Sequence, residues 1–257
     1  TELAQRAKPS RLPIESLLVP LRNSHPPDSV AVACSALGLY QASEIPRRNR
    51  DAVVGVLAEL ASRHPHPYVH SAATWLHEQW ALEPPTIPPE AVQERDGVGW
   101  VQDPLARTMT LVRGPVEFEM GSSDSEPFHS PIEKQHRRRI PRDFAIAQYE
   151  TTIADFQRYR PDHAHNADVA PEEACPVNDV SWFDAAKYCR WLSEQAGLPE
   201  SEMCFPPMDE IGPRMTLPTN WLERTGYRPP TAAEWEYFCR GGEPDSRSCG
   251  EGHDYVD

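Results

Sequence analysis

The sequence predicts an α+β fold, and three observations carry that expectation. Amphipathic helical stripes fill the first 82 residues, short β-rich runs follow residue 98, and capping boxes then mark helix starts embedded in much irregular chain. The helical part is read as four segments. Residues 14–22 carry Leu17, Leu18 and Leu21, with Pro20 expected to shorten or kink the helix. Residues 28–40 carry Val30, Val32, Ala33, Ala36, Leu37 and Tyr40; residues 51–63 carry Val53, Val54, Val56, Leu57, Leu60 and Ala61. Residues 67–80 carry Tyr68, Val69, Ala72, Ala73, Trp75, Leu76 and Trp80. Such stripes pack helix on helix, and short helices joined by Pro-rich turns read as a small all-α, HEAT-like segment over 1–82.

Residues 83–97, with Pro84-Pro85 and Pro88-Pro89, read as a stiff Pro-rich linker. A second domain is expected over 98–257. Residues 108–112 and 116–120 alternate as strands around a Gly114-Pro115 turn, and 137–147 form a further strand candidate. Thr151 or Thr152 is placed to cap a helix through Arg160. Ser181 with Asp184 and Thr231 with Glu234 are capping boxes, the first opening a helix that ends at Gly197, the second a helix that ends at Arg240.

Composition narrows the function classes. Of 257 residues 39% are hydrophobic and seven are Trp, enough for a core, while 28 Pro limit long regular elements. A net charge of −14 repels phosphate backbones, so nucleic acid is not the expected partner. The one basic run, His136 to Arg139, reads as a solvated strand edge guarded by cations rather than an anion site. No apolar run is long enough for a transmembrane helix, and the expected compartment is the cytoplasm. The six cysteines, Cys34, Cys175, Cys189, Cys204, Cys239 and Cys249, form no CxxC pair and read as buried thiols in a reducing compartment.

Three places in the sequence invite a sharper chemical reading. His66, His70 and His77 fall on one helical face, but the Glu of an H-E-x-x-H motif is missing. That face lies opposite Trp75 and Leu76 and is expected to be solvated. The acidic pairs Glu172-Glu173 and Asp209-Glu210 read as solvated loops, and Glu234 as a helix N-terminal charge. Trp182, Tyr188, Trp191, Trp235 and Tyr237 are expected in the core.

Residues 116–122 (VEFEMGS), 144–152 (FAIAQYETT), 175–192 (CPVNDVSWFDAAKYCRWL) and 227–242 (YRPPTAAEWEYFCRGG) carry a resemblance. They are similar, in order, to motifs of the formylglycine-generating enzyme, or sulfatase-modifying factor, family. Pro229, Ala232 and Phe238 depart from that pattern, and residues 198–226 resemble an insertion found in planctomycete-type bacterial members that carry further domains upstream. The resemblance implies a C-type-lectin-like fold, of which this chain would be the N-terminal part. It implies an oxidoreductase that converts a cysteine of a protein or peptide substrate to formylglycine, using oxygen and copper held by two cysteines. Structural calcium is expected in the full domain. The motifs around the copper cysteines do not occur here, so no catalytic, cofactor-binding or metal residue is assigned in this chain. Cys189 and Cys239 match positions that pair with other cysteines in some members; here they are expected to be small core residues. The alternative is a non-catalytic recognition module, with the helical segment as a protein-interaction platform.

Overall fold

The computed structural model describes residues 14–22, 25–83, 98–122 and 133–241. Most of the Pro-rich linker, Cys249 and the last residues, 242–257, lie outside them. The chain divides into two compact units, the first reaching to Gln102 and including Thr108–Thr110, the second holding Asp103–Arg107 and everything from Leu111 on.

The first unit contains α1 (Ile14–Arg22), α2 (Pro27–Leu37), α3 (Arg47–Arg63) and α4 (Pro67–Gln79). Pro20 does not break α1, which continues to Arg22. Proline supports the start of two helices instead: Pro27 and Pro67 occupy the first turns of α2 and α4, where a missing N–H costs nothing. Leu17, Leu18, Leu21, Val30, Leu37, Val53, Leu57, Val69, Leu76 and Trp80 close one core between the four helices. Trp80 is fixed by its indole N–H, which donates to the Tyr40 carbonyl at 3.0 Å. Gly38 ends α2 where the Trp75 ring passes; a Cβ there would meet that ring at 2.3 Å. Two stripe residues face out, Val32 and Tyr68, so those helices present a narrower apolar face than their sequences suggest.

The expectation that the histidine face is solvated is overturned. Only His66 is exposed; His70 and His77 are buried. For His70 the reason is that β1 (Trp100–Gln102), paired antiparallel with β2 (Thr108–Val112), belongs to this unit through Trp100. The Trp100 ring stacks on His70 with centroids 3.6 Å apart, and its indole N–H donates to the His64 carbonyl at 2.8 Å. His70 Nδ1 donates to the Ala61 carbonyl at 2.5 Å, while its Nε2 is buried with no partner among the described residues. An imidazolium would bury a second, unsatisfied N–H. Burial therefore pushes the His70 pKa down to about 4, against the upward pull of its Ala61 bond.

The second unit contains β3 (Val116–Met120), β4 (His136–Ile140), β5 (Phe144–Ala147), α5 (Ile153–Tyr159), α6 (Trp182–Gln195) and α7 (Ala232–Cys239). β2 and β3 do not form the expected hairpin: β3 pairs antiparallel with β4, from Val116 opposite Ile140 to Met120 opposite His136. The single strand expected over 137–147 is two, β4 and β5, because Pro141 removes the donor that would continue the ladder. Thr152, Ser181 and Thr231 each cap their helix in a reciprocal capping box, with Asp155, Asp184 and Glu234 as partners. Each cap is worth about 1 kcal/mol. Gly197, at φ +67°, stands one residue past the Ala196 C-cap of α6 and closes it as anticipated. Among the described residues no helix is long and apolar enough to cross a membrane.

The His70 environment gives a testable pH dependence. Its folded pKa lies below the ordinary value of 6.5, so its contribution is complete above 6.5 and is lost as pH falls toward 4. The expected loss is about 3 kcal/mol, read as a falling urea midpoint of the helical signal. His70→Gln should remove that pH dependence, and an imidazole NMR titration midpoint near 6.5 in the native protein would contradict the account.

Candidate functional site

The motif at 227–242 converges on one buried carboxylate. Glu234, in the first turn of α7, is 1% exposed. Its Oε2 accepts from the Thr231 N–H at 2.8 Å, completing the cap. Arg228 then grips both oxygens, Nη1 to Oε2 and Nη2 to Oε1, each at 2.7 Å, and Arg142 Nη2 donates to Oε1 at 2.8 Å. Burial alone would raise this carboxyl's pKa; the Arg228 bonds, the Thr231 amide and Arg142 outweigh it and hold the pKa at about 2. Glu234 is more than a helix N-terminal charge, because its main partners are the side chains of Arg228 and Arg142. Arg228, six residues upstream, was the signal within the motif itself.

Further along the same helix, Glu236 and the C-cap Arg240 clamp the end of β3. Glu236 Oε1 accepts from the Gly121 N–H at 2.7 Å, and Arg240 Nη2 donates to the Gly121 carbonyl at 2.7 Å. The two side chains also pair with each other at 2.7 Å. Gly121 sits at φ +95°, and a Cβ there would meet the Glu133 carbonyl at 2.6 Å, so glycine is required. Between these clamps Tyr237 meets Phe118 edge to face at 5.4 Å, over a small core of Phe118, Ile140 and Ala233.

The motif at 175–192 forms α6 and does similar work. Tyr188 and Leu192 pack with Phe156 and Leu105, and Ala186 with Cys204, Phe205 and Ile211 of the inserted stretch. Arg190 is nearly buried and holds that stretch in place, donating to Glu200 at 2.7 and 2.9 Å and to the Phe205 carbonyl at 3.0 Å. Arg107 lies between Asp103, at 2.6 Å, and Asp155, at 3.4 Å, beside the Tyr188 ring. Asp184 pairs with Arg160 as well as capping α6. The expected core position of the motif aromatics holds for Tyr188, with Trp191 and Tyr237 half-buried. Trp182 and Trp235 are 50% and 59% exposed. Both are set near helix N-termini, and Trp182 still meets the buried Phe205 edge to face at 5.9 Å.

Beside α7 opens a cleft of about 440 Å³, lined by Met120, His136, Arg138, Arg139, Ile140, Pro141, Arg142, Leu222, Thr231, Ala232 and Ala233. The basic run that read as a strand edge is β4, and residues 136–139 are exposed as anticipated. Arg137 and Arg139 pair with Glu117 across the strands. Glu172, Glu173, Asp209 and Glu210 are exposed, in keeping with solvated loops.

The thiols are poorly disposed for copper. Burial pushes the Cys34 and Cys189 pKa values up to about 12 and raises that of Cys204, whose Sγ donates to the Gly226 and Trp221 carbonyls at 3.0 and 3.3 Å. Cys239 is not the inward core residue expected; it is exposed, and partial burial with Glu150 and Glu236 nearby still raises its pKa. Copper takes thiolates, and these groups are held as thiols. Among the described residues no three His, Cys, Asp or Glu side chains cluster as metal ligands. To bind copper, the four thiols with raised pKa values would each have to give up a proton.

Replacing Glu234 by Gln should cost about 3 to 5 kcal/mol, because Arg228 and Arg142 lose a buried counter-charge. The native carboxylate's contribution is complete above the ordinary pKa of 4.5 and is lost as pH falls toward 2. Chemical denaturation of E234Q against wild type checks this: the penalty should shrink below pH 4.5, and a pH-independent penalty would count against it.

The comparisons with known proteins agree with the motifs. A family model described as the sulfatase-modifying factor enzyme 1-like domain matches residues 101–256. The chaperone protein LppX of Paenibacillus barcinonensis is 32% identical over 114 residues, covering 39% of this chain and 37% of that protein. The chain thus aligns with little more than a third of that relative's length. No solved structure matches the chain. With its motif residues committed to one set of caps, clamps and buried pairs, and with well over half its length covered by the family model, the chain belongs to the sulfatase-modifying factor enzyme 1-like family.

Proposed function

We propose that the domain serves conversion of a substrate cysteine, in a protein or peptide, to formylglycine, and that the residues described here are its scaffold. The observation that carries this reading is the use made of the family motifs. Arg228, Thr231, Glu234, Glu236 and Arg240 hold α7 against β3 and β4, and Arg190 holds the inserted stretch. Copper would supply the oxygen chemistry when bound. Its ligands, and those of structural calcium, would be side chains other than the described ones. Residues 1–82 form, in this reading, a HEAT-like protein-interaction segment joined by the 83–97 linker to a C-type-lectin-like domain over 98–257, whose first strand, β1, packs with the helical unit through Trp100. The free thiols among the described residues suit a reducing cytoplasm.

A second reading, a non-catalytic recognition module, is favoured by the exposed Trp182 and Trp235, which offer apolar contact surface outside the core. A relative named as a chaperone is in keeping with a protein partner for either reading. The test uses the full-length protein with copper, oxygen and a cysteine-containing peptide. The scaffold reading expects aldehyde formation, seen by mass spectrometry, that a chelator abolishes and that Cys189→Ser and Cys204→Ser leave unchanged. Loss of conversion in a normally folded Cys189→Ser protein would overturn it. Peptide binding without conversion would establish the recognition module.

A further inference from the structure

We propose that the outer edge of β4 and the cleft beside it bind an extended, acidic segment of a partner polypeptide. The inference goes beyond the function proposed above and holds whether the domain oxidises cysteine or only binds. Three observations meet at this place. First, β4 lies in a two-stranded sheet whose order is β3 then β4, so its far edge is unpaired among the described residues. An exposed strand edge offers N–H and C=O groups to an incoming strand. Second, the local charge is opposite to that of the chain. Within a protein of net charge −14, β4 reads His136-Arg137-Arg138-Arg139, all exposed. Arg137 and Arg139 are already matched to Glu117, whereas Arg138 has no carboxylate partner among the described residues. Third, Arg138 does not stand alone in solvent as an edge guard would. It lines the cleft of about 440 Å³ together with the apolar Met120, Ile140, Leu222, Ala232 and Ala233.

Alternate residues of a strand share a face, so His136, Arg138 and Ile140 are presented together. An added strand would meet them with the same period of two. Its backbone would bond the β4 edge, a Glu or Asp side chain would take the Arg138 guanidinium in a bidentate pair, and an apolar neighbour would fill the cleft. The cleft lies within the ordinary size range of ligand pockets and is wide enough for one or two side chains, not a folded surface. That geometry favours an extended segment over a globular partner.

The test titrates the full chain with a fluorescent peptide alternating Glu and Val, with a Lys/Val peptide and inorganic phosphate as controls. The Glu/Val peptide is expected to bind. Arg138→Glu should weaken it by about tenfold or more, the worth of one charge-assisted bidentate pair, whereas Arg158→Glu, at an exposed site on α5, should not. Arg138 supports no other described residue, so R138E should fold; R138Q provides a milder step in the same direction. Amide exchange should slow on binding at residues 136–140. Equal binding by R138E and wild type, equal binding of the Lys/Val peptide, or protection elsewhere would each overturn the proposal. So would phosphate displacing the peptide completely at millimolar concentration, which would mark a simple anion site. Self-association of the chain that R138E abolishes would show a second copy to be the occupant and would also overturn it.

Discussion

The second unit depends on one buried anion. Glu234 is the point where a helix cap, a bidentate arginine and a second arginine from the chain after β4 come together. A carboxylate removed from water is costly unless its oxygens are satisfied, and here four donors reach it. Such a group adds little net stability over a well-packed apolar alternative, but it tolerates only one arrangement of its partners. That intolerance sets where α7 lies on β3 and β4. The clamp on Gly121 by Glu236 and Arg240 repeats the device further along α7 with backbone atoms as the target.

The rest of that unit follows the same economy. Its regular elements are short, and its three cores are small. A loop-rich chain with many prolines cannot rely on long ladders or helices, so charged side chains reach across the gaps to backbone and to one another. Arg190 to Glu200, and Arg107 to Asp103 and Asp155, show this most clearly. The family motifs are therefore a record of tertiary cross-links as much as of chemistry. Many of the charged residues that identify the family are occupied in holding this unit together.

The first unit uses a different solution. It has a single apolar core and a polar group, His70, buried under a tryptophan that arrives from beyond the linker region. Trp100 contributes area, a stacked ring and a hydrogen bond to the His64 carbonyl, so β1 is tied to the helices by more than proximity.

The sequence by itself determined the helices with their caps, the α+β class and the family, because these rest on local chemistry: a hydroxyl and a carboxylate three residues apart, a glycine after a helix, and apolar periodicity. Solvated Glu172, Glu173, Asp209 and Glu210 were legible for the same reason. Only the tertiary structure decided the pairing of β3 with β4, the burial of His70 and His77, the exposure of Trp182, Trp235 and Cys239, and the role of Glu234. Two of these depend on a partner distant in sequence, Trp100 for His70 and Arg142 for Glu234. A helical face reads as polar or apolar from its own residues, but whether water reaches it is settled by what the rest of the chain lays upon it.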